Sequence, residues 1–161
     1  MNEKEFEEWR KRQKSFSLFF YGASKNNPGK SGAGGIICDP DGKMIISYEW
    51  GLGESTNNKA EAYSLLLGIR ILKNYAIKDP IIIGDFAIVI EAMIKDKNPS
   101  NIAINRIYQR IRSNIKGLGK ITFKHVLRNQ NQEVDILANN AIERAIGTVN
   151  ENNEIFFLPI L

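Results

Sequence analysis

Apolar residues change period several times along the chain, and each change marks an element. Phe16, Leu18 and Phe20 alternate with Ser17, Phe19 and Tyr21, the two-residue period of a strand, and Gly22 ends the run. Residues 23–31 hold the Asn, Pro and Gly of a turn, and residues 32–38 resume as a second strand rich in small side chains. Asp39, Pro40, Asp41 and Gly42 follow, with an Asp-Gly pair that favours a hairpin into a third strand at residues 43–50. From Thr56 the period becomes helical: Ala62, Leu65, Leu66, Ile69 and Leu72 lie three and four apart, with Thr56 or Asn57 available as the N-cap. Ile81, Ile82 and Ile83 form a continuous apolar run, as in a parallel strand buried on both faces, and Gly84 and Asp85 close it. Residues 86–94 predict a short helix, and Pro99 and Ser100 open another whose buried stripe is Ile104, Ile107, Ile111 and Ile115. A fifth strand is expected at residues 120–127, then a closing helix marked by Val134, Leu137, Ala138, Ala141, Ile142 and Ala145. This order predicts an α/β fold with a mixed five-stranded sheet, three antiparallel strands followed by two parallel ones, and helices on both faces.

The ends read differently. Residues 3–14 are mostly Glu, Lys, Arg and Gln around Phe6 and Trp9 and read as an exposed helix or a charged linker; a solvated charged leader at residues 1–15 is the preferred reading, ahead of a domain at residues 16–146. Residues 147–161 join a polar stretch to the apolar IFFLPIL and read as a C-terminal extension that docks on the domain; a cut from a longer chain is the alternative. The 161 residues, 43% hydrophobic and 25% charged, suit one globular domain that needs no disulfide, and the single Cys38 cannot form one internally. An intracellular setting is therefore expected, and no apolar run approaches a membrane span. A net charge of +4 permits a polyanionic partner without requiring one.

Three acids fall where an open parallel sheet gathers a site, at strand carboxyl ends and helix starts. Asp85 ends the isoleucine strand, Glu61 lies about a turn into the first long helix, and Asp135 lies near the start of the closing helix. Each also has a structural use: Asp85 as an N-cap, Glu61 and Asp135 as first-turn acids favoured by the helix dipole. Gathered together, three hard oxygen donors would hold magnesium, because clustered carboxylates repel one another until a cation neutralises them.

The segments YGASKNNPG, SGAGGII, DPDGK, GLGESTNNKAEAYSLLLG, IIIGD and FKHVLRNQNQEVDILAN, in this order and spacing, resemble type 1 ribonuclease H, especially its plant and retroelement branch, over residues 16–146. The resemblance implies endonucleolytic hydrolysis of the RNA strand of an RNA/DNA hybrid by two Mg2+ ions, or Mn2+ in their place, held by four carboxylates. Glu61, Asp85 and Asp135 match three of them. The fourth is replaced: Tyr21 stands where the family motif DGAS has its bridging Asp, and a neutral phenol is a poor magnesium ligand. Phe86 stands where the family has Ser after GD, so a capping hydroxyl is lost as well.

The resemblance also implies a substrate surface. Asn57 and Asn58 match asparagines that contact the hybrid near the 2′-hydroxyl and bases, and the loop from Gly22 through Asn27 to Gly29 matches one that approaches the RNA strand. Lys25 and Lys30 add positive charge there. His125, ten residues before Asp135, matches a histidine that aids proton transfer or product release, and Arg128 suits a phosphate contact. The span between Asp85 and Asp135 leaves no room for the basic handle of the bacterial form, so affinity falls to the loop, Asn57, Asn58 and scattered Lys and Arg; by analogy with retroelement members of the family, an adjacent reverse transcriptase domain is a candidate partner. Two readings stay open: a ribonuclease H impaired by Tyr21, or a catalytically inactive module that binds nucleic acid or protein.

Overall fold

The computed structural model describes residues 2–127 and 132–160, and for residues 132–135 the backbone alone. Its elements in chain order are α1 (Glu3–Gln13), β1 (Ser17–Ser24), β2 (Gly29–Cys38), β3 (Met44–Ser55), α2 (Asn57–Asn74), β4 (Ile81–Gly84), α3 (Ala87–Lys95), α4 (Ile102–Ile115), β5 (Thr122–His125), α5 (Gln132–Ala141), β6 (Thr148–Glu151) and β7 (Glu154–Phe157). Strands β1, β2 and β3 form the expected antiparallel meander, and β4 pairs in parallel with both β1 and β5.

The expected five-stranded sheet is corrected to seven, in the order β5-β4-β1-β2-β3-β6-β7. The two added strands come from the C-terminal segment. Strand β6 pairs antiparallel with β3, Val149 opposite Trp50, and folds back as β7 through Asn152 and Asn153, both at positive φ (49° and 69°). Two such residues make the tight hairpin turn that asparagine tolerates.

Side-chain alternation divides the core. Leu18, Phe20, Ile37, Tyr48 and Trp50 face α2 and the helices packed on it, whereas Phe19, Ile36, Ile81 and Ile83 face the opposite layer. Ile82 points to the first face and its two neighbours to the second, which is the double burial expected of β4. The small residues of β2 let α5 lie directly on the sheet: a Cβ on Gly32 would sit 2.5 Å from the Ile142 nitrogen, and one on Gly34 2.6 Å from the Ala138 nitrogen. Helix α5 stops at Ala141, short of the expected Ala145, and the chain turns towards Gly147 at φ +84°.

The solvated leader is also corrected: the segment takes the helical alternative, and that helix is packed on the sheet. Residues 3–13 form a helix capped by the Asn2 side chain on the Glu5 N–H, and Phe6, 1% exposed, seats on Phe19 with ring centroids 6.3 Å apart. Trp9 stacks on Phe6 at 6.1 Å and carries the Lys124 ammonium 5.2 Å from its ring, while the Arg10 guanidinium lies 5.4 Å over Phe19. Two aromatic rings, with Arg10 from the helix and Lys124 from β5 stacked against rings, suffice to dock a helix whose composition is mostly charged. Among the described residues, no helix is long and apolar enough to cross a membrane.

Candidate functional site

A cleft of about 340 Å³ opens where β1 and β4 end side by side, lined by Tyr21, Gly22, Ala23, Ser24, Asn57, Glu61, Asp85, Phe86 and Asn139. The parallel register pairs Phe20 with Gly84, so Tyr21 and Asp85 follow at one level on adjacent strands.

Helix α2 supplies Glu61. Thr56 caps it by accepting the Lys59 N–H at 3.3 Å, which fixes where its first turns lie. A Cβ on Gly22 would fall 2.2 Å from the Ala60 carbonyl carbon and the Glu61 nitrogen, so only glycine lets β1 touch α2 at this point. The contact brings the Gly22 N–H to 2.8 Å from Glu61 Oε1, in a side chain 2% exposed. One turn on, Ser64 Oγ accepts the Tyr21 N–H at 3.2 Å and donates to the Gly34 carbonyl at 2.6 Å, tying α2 across two strands. Tyr48 donates to the Ser64 carbonyl at 2.7 Å, and burial pushes its phenol well above the usual range. The polar side of α2 is thus held by fixed bonds before any ligand arrives.

Asp85 leaves β4 at the start of α3. The N-cap position of that helix falls on Phe86, whose side chain makes no capping bond and instead lines the cleft. His125, opposite Gly84 on β5, has Nε2 3.1 Å from the Asp85 backbone oxygen; it sits beside the cleft, bonded to the main chain of a cleft residue, and is not part of the lining. The Tyr21 ring is half-buried against Ala23, Ala138 and Ile142 and packs as well against the Phe19, Ile83 and Val126 group.

The turn after β1 approaches α2 through Asn27, whose side-chain oxygen accepts the Asn57 N–H at 2.9 Å; the Asn27–Pro28 peptide is cis. Asn57 lines the cleft and Asn58 does not. Arg128 and the Asp135 side chain lie outside the described residues; position 135 falls in α5 one turn before Asn139. Sequence reasoning missed Asn139 as a cleft residue, while Ala23 and Ser24 belong to the Gly22–Gly29 loop it had singled out. Asn139 was signalled by its place in NxxxDxLAN, four residues after Asp135 and so on the same helical face.

The chemistry of the lining is a pair of carboxylates on rigid elements with neutral amides around them. Among the described residues no group of three or more His, Cys, Asp or Glu gathers at one point. Glu61 and Asp85 are hard oxygen donors that suit a divalent cation, and the phenol of Tyr21 does not. At the rim, Glu143 accepts from the Lys25 ammonium at 3.0 Å with Lys30 at 3.6 Å, and these cations, Lys25 first, hold its carboxyl below the usual value.

Comparison with known proteins agrees with this geometry. The family model described as reverse transcriptase-like matches residues 19–141. The Halobacterium salinarum ribonuclease HI is 28% identical over 127 residues, covering 79% of this chain and 64% of that protein. A bifunctional protein of Mycobacterium tuberculosis is 27% identical over 128 residues, 77% of this chain and 34% of its own length. The chain therefore spans less than two thirds of these relatives. In three dimensions, the ribonuclease H1 of Halobacterium salinarum superposes with a TM-score of 0.76 at 27% identity, over 81% of this chain and 98% of that one. LC11-RNase H1, solved in complex with RNA/DNA hybrid, shares the fold with a TM-score of 0.75 at 22% identity, over 80% and 96%. With a family match across most of its length and a cleft at the expected strand ends, the chain belongs to the reverse transcriptase-like family and is a ribonuclease H-like domain.

Proposed function

We propose that this domain binds RNA/DNA hybrid across the cleft and hydrolyses the RNA strand by metal-assisted catalysis, at a rate lowered by Tyr21. The observation that carries the reading is the convergence of Glu61, Asp85 and Asn57 on one cleft at the ends of β1 and β4. Glu61 and Asp85, with Asp135, would hold a divalent cation such as Mg2+ or Mn2+; bound there, it would acidify water and offset phosphate charge. Glu61 is preset for that duty by the Gly22 N–H, Asp85 by its position after β4, and Asn57 offers an amide to a sugar or base. The position of Tyr21 offers no carboxylate, so the bridging ligand that the family resemblance implies is missing.

A retained fold with no turnover, serving as a binding module derived from a retroelement enzyme, is the second reading. It is favoured by the way Tyr21 is packed: its ring belongs to two apolar groups instead of standing loose in the cleft.

Cleavage of a labelled RNA/DNA hybrid in Mg2+ and then Mn2+ tests the proposal with the original chain, Tyr21→Asp, and Tyr21→Asp with Asp85→Asn. Restoring a ligand worth about 3 kcal/mol should raise the rate roughly a hundredfold, and the double variant should lose it. An original chain as fast as Tyr21→Asp would refute the impairment. Hybrid binding without cleavage by any variant would select the binding module.

A further inference from the structure

The carboxylates that line the cleft repel a phosphate backbone, so attraction for a nucleic acid must come from cations on the rim. Lys25 and Lys30 face one another across the turn between β1 and β2, where the Lys25 N–H donates to the Lys30 carbonyl at 2.8 Å. Lys25 opens the turn after β1, two residues beyond Ala23, which packs on Ala138 and Ile142. There both ammonium groups meet one carboxylate: Lys25 Nζ lies 3.0 Å from Glu143 Oε1 and Lys30 Nζ 3.6 Å from Oε2. Glu143 sits in the turn that ends α5, four residues beyond the cleft residue Asn139, and its N–H donates to the Asn140 carbonyl. Two lysines on separate oxygens of a single anion form a ready oxyanion clamp, and all three side chains are about 60% exposed. An exposed ion pair of this kind is weak enough to exchange for another anion.

We propose that Lys25 and Lys30 clamp a backbone phosphate of the bound strand, and that Glu143 fills the clamp as an internal competitor until nucleic acid displaces it. This rests on the hybrid-binding reading above. The clamp stands beyond the end of β1, and none of its three residues lines the cleft, so it takes a phosphate outside the reacting centre and sets affinity instead of chemistry.

The test is fluorescence anisotropy of a labelled RNA/DNA hybrid and a matching DNA duplex, in EDTA to prevent turnover, over a salt series. Glu143→Gln should tighten hybrid binding roughly fivefold at low salt and steepen the salt dependence by about one counterion. Lys25→Gln with Lys30→Gln should weaken binding, and in that background Glu143→Gln should have no effect. An unchanged affinity in Glu143→Gln, or a gain that survives loss of both lysines, would overturn the clamp. A gain of equal size on both duplexes, with neither preferred, would support the clamp as a general phosphate contact and overturn the hybrid reading beneath it.

Discussion

At Gly22 a single hydrogen in place of a side chain sets the distance between β1 and α2. A methyl group there would meet backbone atoms of Ala60 and Glu61 at 2.2 Å, and neither can rotate away. Gly22→Ala should therefore cost about 3 kcal/mol in urea unfolding and break the 2.8 Å bond that presets Glu61. Tyr21 shows the opposite case, a residue whose identity was plain in the sequence and whose consequence was not. The tyrosine of YGAS was legible at once, but the packing of its ring against Ala138 and Ile142 depends on residues more than a hundred positions away. His125 is similar: its spacing from Asp135 marked it, while its bond to the Asp85 backbone needed β5 to lie beside β4.

At the scale of elements, α1 is the clearest addition to what periodicity conveys. Its eleven residues carry only Phe6 and Trp9 as large apolar groups, too few to signal an amphipathic stripe, yet one fully buried ring anchors it. Phe6→Ala should cost about 3 kcal/mol and raise deuterium uptake across residues 3–13, whereas Glu8→Ala, on the exposed side, should leave both unchanged. Helix α2 was legible from its own stripe and its Thr56 cap, and β4 from three consecutive isoleucines, because those signals lie within a few residues of each other. Strand β2 was legible as a strand, but the purpose of its glycines emerged only with α5 lying on them.

Across the whole molecule, the sheet places the candidate site and the C-terminal hairpin apart. The cleft lies at β1 and β4, and β6 and β7 occupy the far edge beyond β3. The hairpin is bound into the fold by the buried Val149 and by the Trp50 indole, which donates to the Leu158 carbonyl at 3.2 Å. Ending the chain after Gly147 should lower stability by about 2 kcal/mol, read as a lower Tm, while hybrid affinity measured below that Tm stays unchanged. Equal losses in both would mean that the far edge also shapes the cleft. Periodicity, turn chemistry and motif spacing are local, so the amino-acid sequence alone carried the order of elements from β1 to α5 and the parallel centre of the sheet, and marked Glu61, Asp85 and Tyr21 as residues to look for. Folding in three dimensions decided the seating of α1, the pairing of the C-terminal segment as β6 and β7, the contact of Gly22 with Glu61 and the place of Glu143 between two lysines. The last two contacts join residues 39 and 118 positions apart, and their geometry follows from how sheet and helices pack, which no local pattern encodes.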